Sequence, residues 1–398
     1  MSAKYLAVSV PSSITPSGHK DDAISALQKA VSSSYGEVSN FNIPEFKIGT
    51  LDGLLQQSDE LGKLEGLCNS VVAKVGDTLK NVLDGDEEKI SMHKNVNDKP
   101  LEQYLRSFSW NKVKYRADRP LSELIDLLQK VRNFCGEMGE ANSIDNDVRS
   151  KYNQYNSVRT NLQTLQRKQT GNLSTKSLVS VVNPDVLIND SEHLETHLIA
   201  IPNSNVKEFM RCYETLSPMV VPRSAYFVAS DDEFTLYAVT MFRKHSPDFL
   251  HKVRERKWVP RDYKFKEGGK EEEQKEVRRV EAEEKRVWGE ALRLGRTGWS
   301  EGVMCLVHVV VLRVFVETVL RYGLPLDYVA VLIKTDSKRE KKARQGLDSE
   351  YSYLAGNAFG RDSKGRLKKD EGMSGTDLVT GGDQNDYSAY VCYVIDVD

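Results

Sequence analysis

Residues 270–286 read KEEEQKEVRRVEAEEKR, a run of strong helix formers with both signs of charge interspersed. A disordered linker would carry Gly, Ser or Pro, or a single sign of charge. This stretch is therefore a helix with most of its surface in water. Such a helix is poorly stable alone, because packing supplies most helical stability in proteins. It must have a partner. Its apolar positions, Val277, Val280, Val287, Trp288, Ala291, Leu292, Leu294, Trp299 and Val303, step by threes and fours. That is one narrow seam, enough to hold a second helix while the other faces stay wet.

The partner is read at 121–165. Its apolar positions run from Leu121, Leu124, Ile125 and Leu128 through Val131, Phe134, Cys135 and Met138 to Val148, Tyr152, Tyr155, Val158, Leu162 and Leu165. Pro120 suits a helix start, and Gly171 follows its end. Some 45 residues at about 1.5 Å each give a rod of roughly 70 Å. This helix leads away from the N-terminal region and the 270s helix leads back, so the two are expected to lie antiparallel. A third helical period runs from Leu51 to Leu83, with Asp52 in its first turn and Asp84-Gly85 as its stop.

Between the two neck helices the texture changes. SLVSVV, THLIAIP, SAYFVAS, FTLYAVTMF and KWVPRDYKF read as strands. NVKEFMRCYETL and SPDFLHKVRERK read as helices, with Asn205 and Ser246 as caps. Both chain ends also carry strands: YLAVSVP, DYVAVLIK and YSAYVCYVIDV. The fold class is α+β, an elongated dumbbell. Residues 1–119 and 318–398 form a mixed α/β foot, 120–168 and 264–317 an antiparallel helical neck, and 169–263 an α/β head at its tip. KYLAVSVPSS followed by DDAISALQKAV echoes THLIAIPNSN followed by VKEFMRCYETL. Each reads as a strand, then Pro and Ser, then an amphipathic helix.

The sequence contains few residue patterns for chemistry. The chain has 398 residues, 39% hydrophobic and 29% charged, with a formal net charge of −2. That balance gives no bias toward nucleic acid or a membrane surface. Cys68, Cys135, Cys212, Cys305 and Cys392 are scattered, without a C-x-x-C pair, which suits reduced thiols and not a metal cluster. VMCLVHVVVLRVFVETVL at 303–320 is long enough to span a bilayer, but holds His308, Arg313 and Glu317. It reads as a buried helix with Arg313 and Glu317 paired four apart. EGGKEEE at 267 lacks the spacing of a phosphate loop, and GMSGTDLVTGGDQND at 372–386 reads as a surface loop. HLETH at 193–197 is the best metal candidate, but lacks a visible third ligand and reads as a strand entry. No catalytic residue, cofactor site or metal site is assigned. Arg254, Arg256, Lys257 and Arg261 lie with Trp258 and Tyr263, and attraction to an acidic protein suits them better than nucleic acid.

The residues carry a resemblance along nearly the whole chain. FNIPEFKIGTLDGL (41–54), RKQTGNLSTKSL (167–178), VVPRSAYFVASDDEFTLYAVTMFRK (220–244), WVPRDYKF (258–265), VETVLRYGLP (316–325) and AGNAFGRDSKGR (355–366) resemble the C-subunit family of the eukaryotic vacuolar-type proton ATPase (V-ATPase), in its fungal form. The resemblance implies a noncatalytic component of the pump, cytoplasmic and peripheral on the cytosolic face of vacuolar and endosomal membranes, touching the membrane only through the complex. It implies a head that holds a peripheral stalk, a heterodimer of the E and G subunits. It also implies a foot that touches a second stalk and the cytosolic domain of the membrane a-subunit, and a reversible departure on disassembly. Actin filaments are a further partner. Partner-binding side chains are placed at Arg223, Arg254, Arg256, Arg261, Arg321 and Tyr322.

The sequence departs from the family at Gly295, Gly298 and Gly302, where members tend to carry larger residues. Each interior Gly costs a helix up to about 1 kcal/mol, which leaves the second neck helix open to interruption across 295–302. Loops at 337–350 and near 380 look locally variable. Two other function classes compete with the linker. A coiled-coil scaffold or cytoskeletal adaptor fits the neck but not two globules. An enzyme with a site in the head would need convergent polar residues in a pocket.

Overall fold

The computed structural model describes residues 3–133, 144–188, 191–266, 268–354 and 388–397. It is a mixed helix and sheet protein, in keeping with the α+β expectation. The chain divides into two compact units, one of residues 1–152 with 289–398, the other of residues 153–288.

The first unit is built on a four-stranded antiparallel sheet, ordered β10 (Val391–Ile395), β1 (Ala3–Pro11), β9 (Tyr328–Asp336) and β2 (Glu37–Asn40). Strands from both chain ends therefore share it, with Tyr5 opposite Ile395 and Val8 opposite both Val331 and Cys392. β1 reads as a continuous apolar run because both faces are covered. Leu6, Val8 and Val10 face α1 (Lys20–Val31) and α10 (Glu340–Tyr351). Tyr5 and Ala7 belong to the larger core made with α2 (Leu51–Val82), α5 (Leu121–Asn133) and α9 (Gly269–Tyr322). Residues 340–351, expected as a variable loop, are thus a helix. Ala343 and Leu347 are fully buried against α1.

α2 forms where the period placed it. The Thr50 hydroxyl caps it by accepting from the Gly53 N–H at 3.2 Å, and it ends at Asp84 and Gly85 in the left-handed region. It runs antiparallel to the C-terminal half of α9. Gly62 and Glu65 stand beside Arg313, Cys68 beside Cys305, Gly76 beside Trp299 and Leu79 beside Gly295. α9 is continuous for 54 residues, so Gly295, Gly298 and Gly302 do not interrupt it. The reason is packing. A Cβ on Gly302 would stand 3.1 Å from Val72 Cγ2, and one on Gly295 3.3 Å from Leu79 Cδ1. The close approach of α2 offsets the poor helix propensity. The interval 303–320 is a buried helix of this unit: α9 passes the length and hydropathy test for a membrane span, but its apolar window is 78% buried inside the protein. Arg313 pairs with Glu65 of α2 and lies 4.3 Å from the Tyr393 ring, while Glu317 accepts from Arg321 at 2.6 Å. The expected Arg313–Glu317 pair is replaced because each ion has a better-placed partner.

The helix expected over 121–165 is described as α5 and α6 (Ile144–Thr170). Its junction, with Phe134, Cys135, Met138 and Ala141, lies outside the described residues. Within the first unit the segment runs against α9 in the opposite sense. Cys305 Sγ lies 3.7 Å from the Leu128 carbonyl, and Lys151 pairs with Glu290 at 3.0 Å.

The second unit has its own antiparallel sheet, ordered β6 (Tyr226–Ser230), β7 (Phe234–Phe242), β5 (Leu194–Pro202) and β8 (Val259–Arg261). α7 (Val206–Cys212) and α8 (Ser246–Glu255) cover one face through Phe209, Phe249 and Val253, joined by Trp258 from the turn after α8. Leu173, Leu178 and Val182 cover the other. SLVSVV at 177–182 is therefore not a strand. Its Leu178 and Val182 are inserted into that core by turns in which Val181 and Val182 N–H donate to the Leu178 carbonyl. The echo between 4–31 and 196–216 is structural: each is a strand, a 3-10 turn after Pro, and a helix. The pairing of β7 with α8 gives a third strand, 3-10 turn and helix, this time without the Pro. Neither Asn205 nor Ser246 makes a side-chain cap bond; the Ser246 hydroxyl bonds His197 Nε2 instead.

Candidate functional site

The residue types most often used in catalysis are occupied structurally. His197 Nε2 meets both the Ser246 hydroxyl and Glu195 Oε1, the latter at 3.0 Å. A hydrolytic triad needs the carboxylate on the other ring nitrogen, so that the imidazole is held to take a proton from the hydroxyl. Here both partners converge on one nitrogen, and Ser246 is 5% exposed. Glu195, His197 and Ser246 tie the entry of β5 to the start of α8. HLETH runs into β5, which begins at Leu194; among the described residues no three His, Cys, Asp or Glu side chains are grouped as metal ligands.

His308 is buried in an aromatic cage, 4.8 Å from the Trp110 ring and 4.9 Å from that of Tyr115. Its Nδ1 lies 2.7 Å from the Met304 carbonyl, and Nε2 accepts from the Asn111 N–H at 3.3 Å. Those partners require a neutral ring with its proton on Nδ1. Burial pushes its pKa down to about 4. This histidine is a neutral bracket between α9 and the 107–120 loop.

A different surface has the composition of a binding site. β6 is one of the two edge strands of the second unit's sheet. Tyr226 and Phe227 are 59% and 52% exposed on it. Met219 is 60% exposed, and its carbonyl accepts from the Phe242 N–H, where the Phe242 ring is also exposed. The strand carries a register shift between Phe227 and Ala229, a device that bends an edge and blunts sheet-to-sheet aggregation. Aromatic, Met and Arg side chains are the types enriched in interface cores. Arg223, in the turn leading into β6, has φ 58° and donates its backbone N–H to Glu214 Oε1 at 2.8 Å, leaving its side chain exposed.

The six arginine and tyrosine positions read from sequence do not form one site. Arg254 is exposed on α8. Arg256 pairs with Glu208 at 2.9 Å and lies 5.5 Å from the Trp258 ring, half-committed within its own unit. Arg261 donates to the Ser174 and Lys176 carbonyls, anchoring the 173–182 segment. Arg321 donates to the Ser388 carbonyl at 2.7 Å as well as to Glu317. The Tyr322 hydroxyl donates to the Ser9 carbonyl at 3.0 Å and accepts from the Val391 N–H at 3.3 Å. Arg321 and Tyr322 thus pin the C-terminal strand. Sequence reasoning did not name Met219, Tyr226 and Phe227. The signal was present: AYFVA is an unbroken apolar run without alternation, close to Pro222 and Arg223.

A groove of about 390 Å³ lies in the second unit where Lys168 and Gln169 of α6 meet Lys270, Glu273 and Val277 of α9. Its Ser177 donates to Glu273 at 2.6 Å.

Comparison with known proteins gives one consistent result. The family model that describes the C subunit of the V-ATPase matches residues 5–391. The V-type proton ATPase C-subunit 1-A of Danio rerio is 36% identical over 358 residues, covering 90% of this chain and 89% of that one. The C-subunit 1 proteins of Xenopus laevis and of Macaca fascicularis are each 37% identical over the same coverage. Among solved structures, the cytoplasmic N-terminal domain of a V-ATPase I-subunit, a homologue of the a-subunit, covers 88% of this chain and 96% of its own at TM-score 0.35 and 12% identity. A likeness at that level carries no weight for function.

Proposed function

The chain belongs to the C-subunit family of the V-ATPase, noncatalytic members of the peripheral, cytosolic sector of a proton pump, and on that premise we propose that it is the stator linker of its pump. In this reading residues 169–263 are a head that docks an E–G peripheral stalk. Residues 1–119 and 318–398 are a foot that meets a second stalk and the cytosolic domain of the a-subunit. Residues 120–168 and 264–317 are the neck of a dumbbell. Departure of the chain releases the two sectors from one another, at vacuolar and endosomal membranes. The motifs quoted above favour a fungal source.

The observation that carries the reading is the family match across residues 5–391. Two structural features support it. α6 and α9 each have residues in both compact units, as a chain with two docking ends would. The exposed Met219, Tyr226 and Phe227 on the β6 edge, with Arg223 and Arg254 in the same unit, supply an aromatic and basic surface for an acidic helical partner. In this reading Arg256 contributes from the same unit, while Arg261, Arg321 and Tyr322 contribute by holding their segments in place. Actin filaments are a further partner in this reading, tested by cosedimentation.

The test uses the complete chain. Titration with purified E–G heterodimer, and separately with the cytosolic domain of the a-subunit, should show saturable binding to each. Tyr226→Ser with Phe227→Ser should weaken E–G binding at least tenfold and leave a-subunit binding unchanged. A natively folded chain that binds neither partner would refute the linker reading. Unchanged E–G binding by the double variant would refute the β6 surface alone.

A further inference from the structure

Where α2 packs on α9, one cysteine from each helix meets the other. Cys68 Sγ and Cys305 Sγ are 3.8 Å apart. They are 2% and 4% exposed, and neither is in a disulfide. The surrounding contact is made by small residues. Gly302, one turn before Cys305, would place a Cβ only 3.1 Å from Val72 Cγ2, one turn beyond Cys68. A disulfide requires a Cα separation under about 7 Å; the sulfurs are already in contact at 3.8 Å, so a small approach of the two helices completes the geometry.

We propose that Cys68 and Cys305 form a dithiol that a small neutral hydroperoxide converts to a disulfide within the folded chain, stapling α2 to α9. The sulfurs have to close from 3.8 Å to about 2.05 Å, a movement within reach of side-chain rotation plus a slight helix shift. The pair does not suit a metal ion, since no third ligand joins it among the described residues.

The chemistry balances as two thiols and one hydroperoxide. One thiolate attacks the O–O bond, its sulfur takes up OH as a sulfenic acid, and hydroxide or alkoxide leaves. The second sulfur then displaces the sulfenic hydroxyl, the S–S bond forms and water leaves. The peroxide is reduced by two electrons and the two sulfurs are oxidised by two. Burial selects the oxidant. Hydrogen peroxide is small and uncharged, whereas oxidised glutathione is a charged peptide too large to reach sulfurs this deep. The Cys68 thiol and burial together hold the Cys305 thiol well above its ordinary pKa, so the thiolate is scarce and the reaction slow. The dithiol records sustained oxidant and not a brief pulse. The bond would close a loop running from Cys68 to Cys305, which encloses the whole second unit in sequence. Cross-linking so long a loop restricts the unfolded chain strongly.

The experiment treats the native full chain with hydrogen peroxide, blocks remaining thiols with N-ethylmaleimide, and digests it without reductant for mass spectrometry. A Cys68–Cys305 linked peptide should appear over hours, and the melting temperature should rise by about 2 °C or more, both reversed by dithiothreitol. The same treatment in denaturant should give little of that peptide. Cys68→Ala, or Cys305→Ala if the first folds poorly, should abolish the rise. Oxidised glutathione at equal concentration should leave the pair reduced. The proposal fails if Cys212 is oxidised while the linked peptide stays absent, if the linked chain melts no higher than the reduced one, or if oxidised glutathione works as fast as peroxide.

Discussion

Acidification tests the His308 bracket most directly. The ring is neutral in the fold, with a pKa of about 4 against 6.5 in an unfolded chain. A histidine whose folded pKa is depressed gives stability that is fully present above the unfolded value. That stability is lost as pH falls from 6.5 toward 4, because only the unfolded chain takes up the proton. The full shift corresponds to about 3 kcal/mol, and about 2 kcal/mol of it is gone by pH 5. The ring is 2% exposed, so solvent screening removes little of this. Trp110 lies 4.8 Å from the imidazole and is one of four tryptophans whose fluorescence follows unfolding. Urea titrations from pH 7 to pH 5 should show the midpoint falling steeply in the native sequence. In His308→Gln, which keeps a donor and an acceptor but no titrating group, stability at pH 7 should be lower and the decline shallower by about 1 kcal/mol per pH unit. Parallel declines in the two proteins would show that His308 is already charged or already solvated, and the caged neutral ring would be wrong.

Three further perturbations separate packing from surface charge. Gly346→Ala would drive a Cβ into the Ala30 carbonyl of α1, and should cost about 1–3 kcal/mol by overpacking despite the better helix propensity, read from thermal melts. Val280→Asp with Val287→Asp places charges at positions 6% and 0% exposed and should lower the stability of the second unit by several kcal/mol. Glu281→Gln with Glu284→Gln should shift it by less than about 1 kcal/mol. The reverse ranking in limited proteolysis of the two variants would show that α9 docks through its charged face.

The parts of the fold set by local pattern were legible in the sequence. α2 was visible in its period and its Asp-Gly stop, and the buried Val277, Val280 and Val287 lie where the seam of α9 put them. What depended on a distant partner was not. Gly295 and Gly302 look like helix breakers until Leu79 and Val72 are beside them. Arg313 and Glu317 look like a pair until Glu65 and Arg321 supply better-placed partners. SLVSVV has the composition of a strand, but its Leu178 and Val182 fill a core from turns instead. The binding surface shows the same division. Arg223 could be named from its type and its neighbours, while the exposure of Tyr226 and Phe227 follows from β6 being an edge strand with a bulge.

The sharing of one sheet by the two ends of the chain has a consequence for synthesis. β1 leaves the ribosome long before its hydrogen-bonding neighbours β9, from Tyr328, and β10, from Val391. At about 5–20 residues per second, roughly 15–60 s separate β1 from its first neighbour. During that interval KYLAVSV is an unpaired apolar strand, the kind of segment that aggregates. The contiguous second unit, residues 153–288, is complete before β9 exists. Nascent chains stalled after residue 300 should therefore yield a protease-resistant second unit while β1 remains a chaperone client, and premature termination before β9 should be far more damaging to solubility than its position late in the message suggests.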